Sequence, residues 1–291
     1  MVDRIKNRFI VQLGFSAITN GYIKGYLNGI IYTGKSKYLC VPGLSCYSCP
    51  GALGSCPLGS LQSMLASRDI GFTFYVTGFL FAIGAIFGRF VCGWLCPFGL
   101  FQDLLYKIPF IKKVKVVKAD SLLKLIKYLI LIIFVIIFPL FVLDLIGQGQ
   151  TGFCKWICPA GTLMAGWPLA IVSEGIRNAL GYLFAWKSIV LILIIILSII
   201  IYRPFCRYIC PLGAIYGLFN PFAFYRYTID NSKCTGCQSC AKICRLGISV
   251  YDTPNSMECI RCGDCINACP SQAIKRGLRD KRIGCIIDGQ E

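Results

Sequence analysis

The chain contains no histidine, and only 13 of its 291 residues are acidic, against 30 lysines and arginines. Without imidazole it cannot bind haem or a Rieske cluster through histidine, and it cannot use histidine in general acid–base catalysis. We therefore predict no haem. Methionine is also scarce, with four residues. The lack of histidine and the scarcity of methionine together argue against direct carriage of copper.

Cysteine, by contrast, is abundant, with 19 residues. A count this high indicates either a disulfide scaffold or metal binding. Disulfide scaffolds are typically short secreted chains, whereas 56% of the residues here are hydrophobic and some apolar runs are long. The cysteines are therefore treated first as candidate metal ligands.

Residues 234–270 contain two copies of the spacing Cys-x-x-Cys-x-x-Cys-x-x-x-Cys. In bacterial ferredoxins this run holds [4Fe–4S] cubes, and the fourth cysteine of each run binds the other cube. Zinc also uses Cys-x-x-Cys pairs, but the doubled spacing favours iron. Ferredoxin site 1 is assigned to Cys234, Cys237, Cys240 and Cys269, and ferredoxin site 2 to Cys259, Cys262, Cys265 and Cys244.

Long apolar runs indicate a membrane protein, because a spanning helix needs about 20 predominantly apolar residues. A cleaved signal peptide is the alternative for the first run. That run is longer than a normal signal sequence and lacks a clear small-x-small cleavage site, so we predict a helix there. The predicted spans are residues 9–32, 71–90, 125–146 and 187–202.

The basic residues predict the orientation of these spans. Lysines cluster in the loop 107–127, and the C-terminal domain is also basic, whereas residues 33–70 and 147–186 carry few cations. By the positive-inside rule, both termini and the ferredoxin domain face the cytoplasm of a prokaryotic membrane. The same rule accounts for the net charge of +17, so we predict no nucleic-acid binding.

A repeat runs through the membrane half of the chain. The segments CGWLCPFG, CKWICPAG and CRYICPLG each follow an apolar run, and SCPLG is a partial fourth copy. Cysteines four residues apart share one face of a helical turn, and the proline is suited to start the next helix. Two such turns supply four thiolates, the number that one [4Fe–4S] cube needs.

The predicted topology sorts these cysteines into an inner, cytoplasmic site and an outer site, each a candidate for one further [4Fe–4S] cluster. Disulfides remain the alternative outside, where the compartment can be oxidising. Ala52 stands four residues before Cys56, so either Cys46 or Cys49 must complete the outer site, and the sequence does not say which. Cys40 and Cys285 have no assigned partner. The inner site is Cys92, Cys96, Cys206 and Cys210, and the outer candidates are Cys46, Cys49, Cys56, Cys154 and Cys158.

Several spans, paired CGWLCP and CRYICP motifs and a C-terminal two-cluster ferredoxin together resemble the NapH, NosR and CcoG group of polytopic membrane ferredoxins, over residues 72–280. The resemblance implies electron transfer between a membrane or cytoplasmic donor and a partner reductase. The CYSCPGALGSCPLG loop and the CKWICPAG copy go beyond the minimal pattern of that group. The chain has no flavin-attachment sequence, so a NosR-like covalent flavin would belong to a partner subunit.

These observations predict an α-helical membrane domain over residues 1–221, with about four spans and short half-helices that carry the Cys-x-x-x-Cys-Pro motifs. A small α+β ferredoxin-like domain is predicted over residues 228–285. We expect an electron-transfer subunit of an oxidoreductase complex rather than a stand-alone enzyme. It would relay electrons across the membrane between a cytoplasmic low-potential ferredoxin or flavoprotein and an outer-face or membrane partner. Several oxygen-sensitive cubes favour an anaerobic host.

Two alternatives belong to other functional classes. Oxidation of quinol within the membrane would require a proton acceptor, for which Asp103, Asp144 and Glu174 are the candidates. A role in assembly, as in CcoG-type proteins, would use the clusters to sense redox state or to reduce a metal.

Aromatic residues accompany the cysteine motifs throughout the membrane half. Such residues commonly form a belt at the membrane–water interface. They are also candidates for stepping stones in electron transfer, but the belt is the interpretation that we favour. The residues concerned are Trp94, Phe98, Phe101, Trp156, Tyr208 and Tyr216.

Overall fold

The computed structural model describes residues 2–67, 70–109, 113–115, 119–143 and 147–278. Within these ranges the protein is mainly helical and has one small antiparallel sheet. Cys285 and Asp144, both of interest in the sequence, lie outside the described residues.

The part of the chain before the ferredoxin is built from helices of very different lengths. Two of them continue through π-helical segments, at Leu131–Ile137 and Thr162–Gly166, and a separate π-helical turn, Phe205–Ile209, precedes Cys210. The helices are α1 (Val2–Thr19), α2 (Ile23–Asn28), a 3-10 turn (Lys35–Tyr38), α3 (Pro57–Ser67), α4 (Ile70–Phe87), α5 (Phe90–Trp94), α6 (Pro97–Tyr106), α7 (Asp120–Ile130), α8 (Phe138–Phe141), α9 (Gly152–Trp156), α10 (Pro159–Gly161), α11 (Trp167–Val172), α12 (Glu174–Asn178), α13 (Tyr182–Ile200) and α14 (Pro211–Phe219).

Two continuous helices are long and apolar enough to cross a membrane, Asp120–Phe141 and Tyr182–Ile200. Both expose many large apolar side chains, such as Leu129 and Ile189, as a lipid-facing surface would. The predicted span 71–90 corresponds to a shorter apolar helix, Thr73–Phe87. Among the described residues, length and composition identify two helices that could span a membrane, so the predicted four spans are not confirmed.

The prediction of one helix over residues 9–32 is wrong. α1 ends at Thr19, and α2 is a separate short helix. The break has a local cause, because the Thr19 hydroxyl and the Asn20 amide donate to main-chain carbonyls of the last turn of α1 and so compete with a continued helix. The chain then turns toward the loop that carries Cys46 and Cys49, and the Tyr22 N–H donates to the Gly51 carbonyl.

Each complete Cys-x-x-x-Cys-Pro motif joins two short helices. Cys96, Cys158 and Cys210 are the N-cap residues of α6, α10 and α14, and the following proline is the first helical residue. Proline is favoured there because its missing N–H would have no partner in the first turn of a helix. The partial copy behaves similarly, since α3 begins at Pro57, directly after Cys56. These helix starts lie where the sequence pattern predicts them.

The described residues of the ferredoxin part, up to 278, form a two-stranded antiparallel sheet and two short helices. β1 (Tyr225–Ile229) pairs with β2 (Ile274–Leu278) in antiparallel register, with Tyr227 opposite Arg276. Between the strands, α15 (Ser239–Ile243) and α16 (Asp264–Ala268) pack against each other. This arrangement agrees with the small α+β domain that the sequence predicts.

Candidate metal centres

The inner site is formed where two Cys-Pro units meet. Cys92 and Cys96 come from the α5–α6 junction, and Cys206 and Cys210 come from the start of α14 and the π-helical turn before it. All four side chains are buried. Burial, followed by the neighbouring thiolate charges of Cys96 and Cys92, raises the pKa of Cys206 to about 12. The structure therefore brings all four predicted cysteines together.

Two arginines connect the halves of the inner site. Arg89 and Arg203 each stand three residues before the first cysteine of their own unit. Arg89 Nη2 donates to the Cys206 carbonyl oxygen at 3.0 Å, and Arg203 Nη1 donates to the Cys92 carbonyl oxygen at 2.5 Å. The two units are thus tied by a reciprocal pair of charge-assisted hydrogen bonds.

The charges of these arginines are compensated by buried carboxylates. Arg203 binds Asp103 through two nitrogens at 2.7 and 2.5 Å, and Arg8 also pairs with Asp103. Burial by itself would raise the pKa of Asp103, but the charge and hydrogen bonds of Arg203 lower it below its usual value. Arg89 pairs with Glu258 of the ferredoxin part at 2.7 Å. The inner site is therefore surrounded by paired rather than isolated charges.

The outer site is formed by the partial copy, its preceding loop and the CKWICPAG copy. Burial and then the thiolate charges of Cys158, Cys56 and Cys46 raise the pKa of Cys154 well above its ordinary value. Burial and then the charge of Cys158 likewise raise the pKa of Cys46 to about 11. The four sulfurs that the structure groups here belong to Cys46, Cys56, Cys154 and Cys158.

Cys49 and Cys40 take other positions. The Cys49 sulfur lies 2.8 Å from the hydroxyl oxygen of Tyr26. Cys40 lies in an isolated β-bridge with Ser55, and its thiol is hydrogen-bonded to Ser60. The Cys46 sulfur, in contrast, lies near Gly161 of the CKWICPAG copy, and this difference between Cys46 and Cys49 is not readable from the sequence.

Glycines leave space beside both sites. Each unit has a glycine three residues after its Cys-Pro cysteine. A Cβ atom on Gly161 would lie 3.4 Å from the Cys46 sulfur, and one on Gly59 would lie 3.7 Å from the Cys154 sulfur. At the inner site, a Cβ atom on Gly99 would lie 3.2 Å from Arg203 Nη1. The motif glycine therefore keeps side-chain atoms away from the sulfurs and from the bonds that hold them.

The donor sets fit a cubane better than a single ion. Each site consists of four thiols and no histidine, which suits iron in a [4Fe–4S] cube. Among the described residues, no three cysteine or acidic side chains come together closely enough to hold one metal ion. A cube binds each thiolate to a different iron atom and so accepts ligands farther apart than a tetrahedral zinc ion does.

The ferredoxin sites follow the crossed pattern that the spacing predicts. One cavity is lined by all four cysteines assigned to ferredoxin site 1, from Cys234 to Cys269. At ferredoxin site 2, burial and then the thiolate charges of Cys262, Cys259 and Cys244 raise the pKa of Cys265. In both cases the fourth cysteine of one run lies with the first three of the other.

Ferredoxin site 2 is docked against the inner site. The side-chain amide of Asn220, at the end of α14, donates to the Cys259 carbonyl oxygen at 2.7 Å. Arg89, which binds the inner cysteine turn, also binds Glu258 next to Cys259. The segment 256–261 therefore links a ligand of one site to the arginine of the next.

Buried aromatic side chains lie near both the inner and the outer site. Tyr216 is fully buried. Burial and then the thiolate charges of Cys92 at the inner site and Cys56 at the outer site raise its pKa. Phe153 directly precedes Cys154 of the outer site, and Phe205 directly precedes Cys206 of the inner site. The centroids of their rings are 6.5 Å apart.

The interpretation of the motif aromatics as an interfacial belt is wrong for three of them. Phe98, Tyr208 and Tyr216 are buried in the protein, whereas Trp156 is exposed. The error has a physical reason, because a belt residue and a core residue have the same sequence context when both flank an apolar helix.

Comparison with known proteins identifies the class. A 4Fe-4S binding domain profile matches residues 69–116, 127–168 and 183–224, so each match contains one complete Cys-x-x-x-Cys-Pro motif. A second 4Fe-4S binding domain profile matches residues 253–275 in the ferredoxin part. No solved structure matches the chain. The chain thus contains 4Fe-4S binding domains both in its membrane half and in its ferredoxin part.

Its relatives include the ferredoxin-type protein NapH and the regulatory protein NosR. The chain is 25% identical to NapH of Escherichia coli over 73% of this chain and 71% of that protein. It is 28% identical to NosR of Stutzerimonas stutzeri over 68% of this chain but only 27% of that protein. An uncharacterized protein of Methanocaldococcus jannaschii is 29% identical over 65% of this chain and 64% of its own length. The chain is therefore similar to NapH and NosR, and it spans about a quarter of the length of NosR.

Proposed function

We propose that this protein is a membrane-embedded iron–sulfur wire. It relays electrons across a prokaryotic membrane between a cytoplasmic low-potential donor and an outer-face or membrane partner. The observation that carries the proposal is the presence of four cysteine sites that are linked in turn by contacts. Two cysteines of ferredoxin site 1 are exposed to solvent, ferredoxin site 2 lies against the inner site, and the buried Tyr216 lies near cysteines of both the inner and the outer site.

Four [4Fe–4S] clusters are proposed, and each supplies a one-electron couple when bound. The protein's own contribution is to bury the thiolates and to hold the sites in sequence. A hydrocarbon core is about 30 Å thick, so a ferredoxin on one face cannot reach the other side without intermediate sites. The proposed ligands are the four cysteines of ferredoxin site 1, the four of ferredoxin site 2, the inner Cys92, Cys96, Cys206 and Cys210, and the outer Cys46, Cys56, Cys154 and Cys158.

The proposed topology is multi-pass, with both termini and the ferredoxin domain in the cytoplasm. The two long apolar helices and the basic loops support it. α1 and α4 also expose large apolar side chains, including Ile18 and Phe74, which is consistent with contact with lipid. A partner subunit that carries flavin remains part of the proposal.

The donor is proposed to be an acidic ferredoxin or flavoprotein that docks at ferredoxin site 1. Cys234 and Cys237 are exposed there, and so are Lys233 and Lys275. Cationic residues around an exposed redox site attract an acidic partner and accelerate its association. The donor would therefore reduce ferredoxin site 1 first. This site is the last of the four when the contacts are followed from the outer cysteines.

Quinol oxidation is the second candidate, and one cavity favours it. The cavity has a volume of about 370 Å³, lies beside Cys262 and is lined in part by Asp103 and Trp94. Asp103, however, is held as a carboxylate by Arg203 and Arg8, which makes it a weak proton acceptor. Glu174 is 87% exposed and pairs with Arg177. Failure of quinol analogues to reduce any cluster in the purified protein would count against this candidate.

The primary proposal is tested by iron analysis and electron transfer in the same preparation. After anaerobic purification we expect about 16 iron atoms and as many sulfides per chain, which corresponds to four cubes. In liposomes, reduced ferredoxin added outside should reduce an acceptor enclosed inside. The double variant Cys154→Ala and Cys158→Ala should retain about 12 iron atoms and lose this transmembrane flow. Cys40→Ala, the matched control, should change neither.

Two outcomes would contradict the proposed electron transfer across the membrane. About eight iron atoms in the wild-type protein would restrict the clusters to the ferredoxin part. Undiminished transmembrane flow in the double variant would show that the outer cysteines are not on the route. An assembly role would instead be indicated if the protein were fully loaded but passed electrons only to a bound metal ion and not to the enclosed acceptor.

A further inference from the structure

Two buried glutamines occupy equivalent places at the two membrane sites. Gln62 in α3 stands six residues after Cys56, and Gln102 in α6 stands six residues after Cys96. Both side chains are fully buried. The other two units have Met164 and Tyr216 at this position, so each membrane site has one such amide.

Each glutamine reaches across its site to the opposing unit. Gln102 Nε2 lies 3.1 Å from the sulfur of Cys206, and its Oε1 accepts from the Phe205 N–H at 3.2 Å. Gln62 Nε2 lies 3.2 Å from the sulfur of Cys154, and its Oε1 accepts from the Phe153 N–H at 3.1 Å. At both sites, therefore, the glutamine makes the same two contacts: its Nε2 contacts the first cysteine sulfur of the opposing unit, and its Oε1 accepts from the N–H of the residue before that cysteine.

The orientation of each amide is determined by the backbone. A main-chain N–H is only a donor, so the side-chain atom that faces it must be the carbonyl oxygen. The NH₂ group then faces the sulfur. The reverse orientation would place two donors together and an oxygen against a thiolate. The contact with the sulfur is therefore an N–H···S hydrogen bond from the glutamine.

We propose that Gln102 and Gln62 are positioning residues that raise the reduction potentials of the inner and outer clusters. They do so by donating one hydrogen bond to the thiolates of Cys206 and Cys154. This inference rests on the proposed binding of clusters at these sites. A hydrogen bond to a ligand sulfur favours the state with more negative charge, which is the reduced state. Full burial strengthens the effect because no water screens the bond.

The presence of the same glutamine contact at both membrane sites is relevant to electron transfer between them. A large uphill difference in potential between neighbouring sites slows the transfer of an electron. One amide at each site, bound to the equivalent cysteine, shifts both potentials in the same direction. The repeat thus provides matched tuning of the two membrane sites as well as their ligands.

The test uses purified full-length protein in detergent. Gln102→Met and Gln62→Met retain side-chain length and volume but remove the donor, and Gln102→Leu and Gln62→Leu provide a second pair if either Met variant is unstable. Gln12→Met is the matched control. Gln12 is also buried beside the inner site, but its Nε2 donates to the Gly93 carbonyl oxygen at 2.9 Å rather than to sulfur. For each protein we measure the iron content and the reduction potentials of the clusters, the latter by redox titration followed by electron paramagnetic resonance. We also compare the protons coupled to each cluster in H₂O and in D₂O.

We expect every variant to retain the wild-type iron content. In Gln102→Met, one membrane cluster should show about a tenfold lower ratio of reduced to oxidised form at a fixed solution potential, equal to about 59 mV for a one-electron couple. Gln62→Met should shift the other membrane cluster by a similar amount. Each variant should also lose one exchangeable proton coupled to the affected cluster. The ferredoxin clusters and the Gln12→Met protein should be unchanged.

The inference fails if both glutamine variants keep their iron, their potentials and their exchangeable protons. It also fails if Gln12→Met produces the same shift, because the effect would then be general loss of a buried amide. A wild-type protein that lacks iron at the membrane sites would instead overturn the proposed function. Iron content in the wild type and potential in the variants thus separate the two failures.

Discussion

Arg89 and Arg203 exchange hydrogen bonds across the inner site, each donating to the main-chain carbonyl of the cysteine that follows the other arginine by three residues. Both guanidinium groups are almost fully buried, and each is neutralised by a carboxylate from elsewhere in the fold. The two Cys-Pro units therefore depend on each other for their geometry, and neither unit holds its cysteines alone.

Substitution of Arg203 should disrupt the inner site. Arg203→Met leaves Asp103 buried with only Arg8 and removes the bond to the Cys92 carbonyl. Removing one member of a buried ion pair typically costs about 3–5 kcal/mol of unfolding free energy. We expect a lower Tm in detergent and a loss of about four iron atoms per chain, the content of one cube.

The control for Arg203 is Arg177→Met, because Arg177 and Glu174 form an ion pair that is largely exposed to solvent. Such pairs contribute little to stability. Equal losses of Tm and iron in the two variants would contradict a specific role for the reciprocal arginines.

Substitution of Gly93 should separate the ferredoxin from the inner site. A Cβ atom at Gly93 would lie 2.3 Å from the carbonyl oxygen of Ile260, so the backbone of the segment 256–261 would have to move. We expect Gly93→Ala to increase hydrogen exchange in that segment and to slow reduction of the membrane clusters by reduced ferredoxin at least tenfold. Gly78→Ala, where nothing lies within 4 Å of the added atom, should behave as wild type.

The outer loop offers a direct comparison between two cysteines. Cys46 lies with the other outer sulfurs, whereas Cys49 is hydrogen-bonded to Tyr26. We expect Cys46→Ser to lower the iron content by about four atoms and Cys49→Ser to leave it unchanged. The opposite result would mean that the loop rearranges when the cluster binds.

Asp103 should make stability dependent on acid pH. Its pKa is lower in the folded protein than in the unfolded chain, so its stabilising contribution is present above its unfolded pKa and is lost as the pH falls through its folded pKa. Asp103→Asn should therefore lower the Tm clearly at pH 7, and the difference from wild type should narrow below about pH 4. Tryptophan fluorescence during heating measures both values.

Glu174→Gln is the control for the acid dependence, because Glu174 is 87% exposed. It should leave the Tm unchanged at both pH values. A difference between Asp103→Asn and wild type that stayed constant from pH 7 to pH 3 would show that the carboxylate charge is not what stabilises the protein.

Local features of the fold were predictable from the chain. A proline directly after a cysteine predicts a helix start, and α6, α10 and α14 begin at those prolines. The span 9–32 failed because hydropathy averages over a window and does not register the local hydrogen bonds of Thr19 and Asn20. Four spans were predicted, and two helices of the described chain meet the length and hydropathy of a span.

The membrane glutamines illustrate what sequence reasoning missed. Gln62 and Gln102 share a position after Cys-Pro-x-Gly, so the repeat itself contained the signal. Two units have glutamine there and two do not, and nothing in the spacing says which cysteine the amide reaches. That partner is 92 residues away for Gln62 and 104 residues away for Gln102.

The sequence by itself determined which cysteines share a turn and where helices begin after them, and it predicts two cubes in the ferredoxin runs, because these features depend on spacing within a few residues. Only the tertiary structure decided that the Cys46 sulfur lies near Gly161 while the Cys49 sulfur contacts Tyr26, and that Arg89 and Gln102 bind the opposing unit. These contacts join residues distant in the chain, and the packing of helices against one another decides which of them meet.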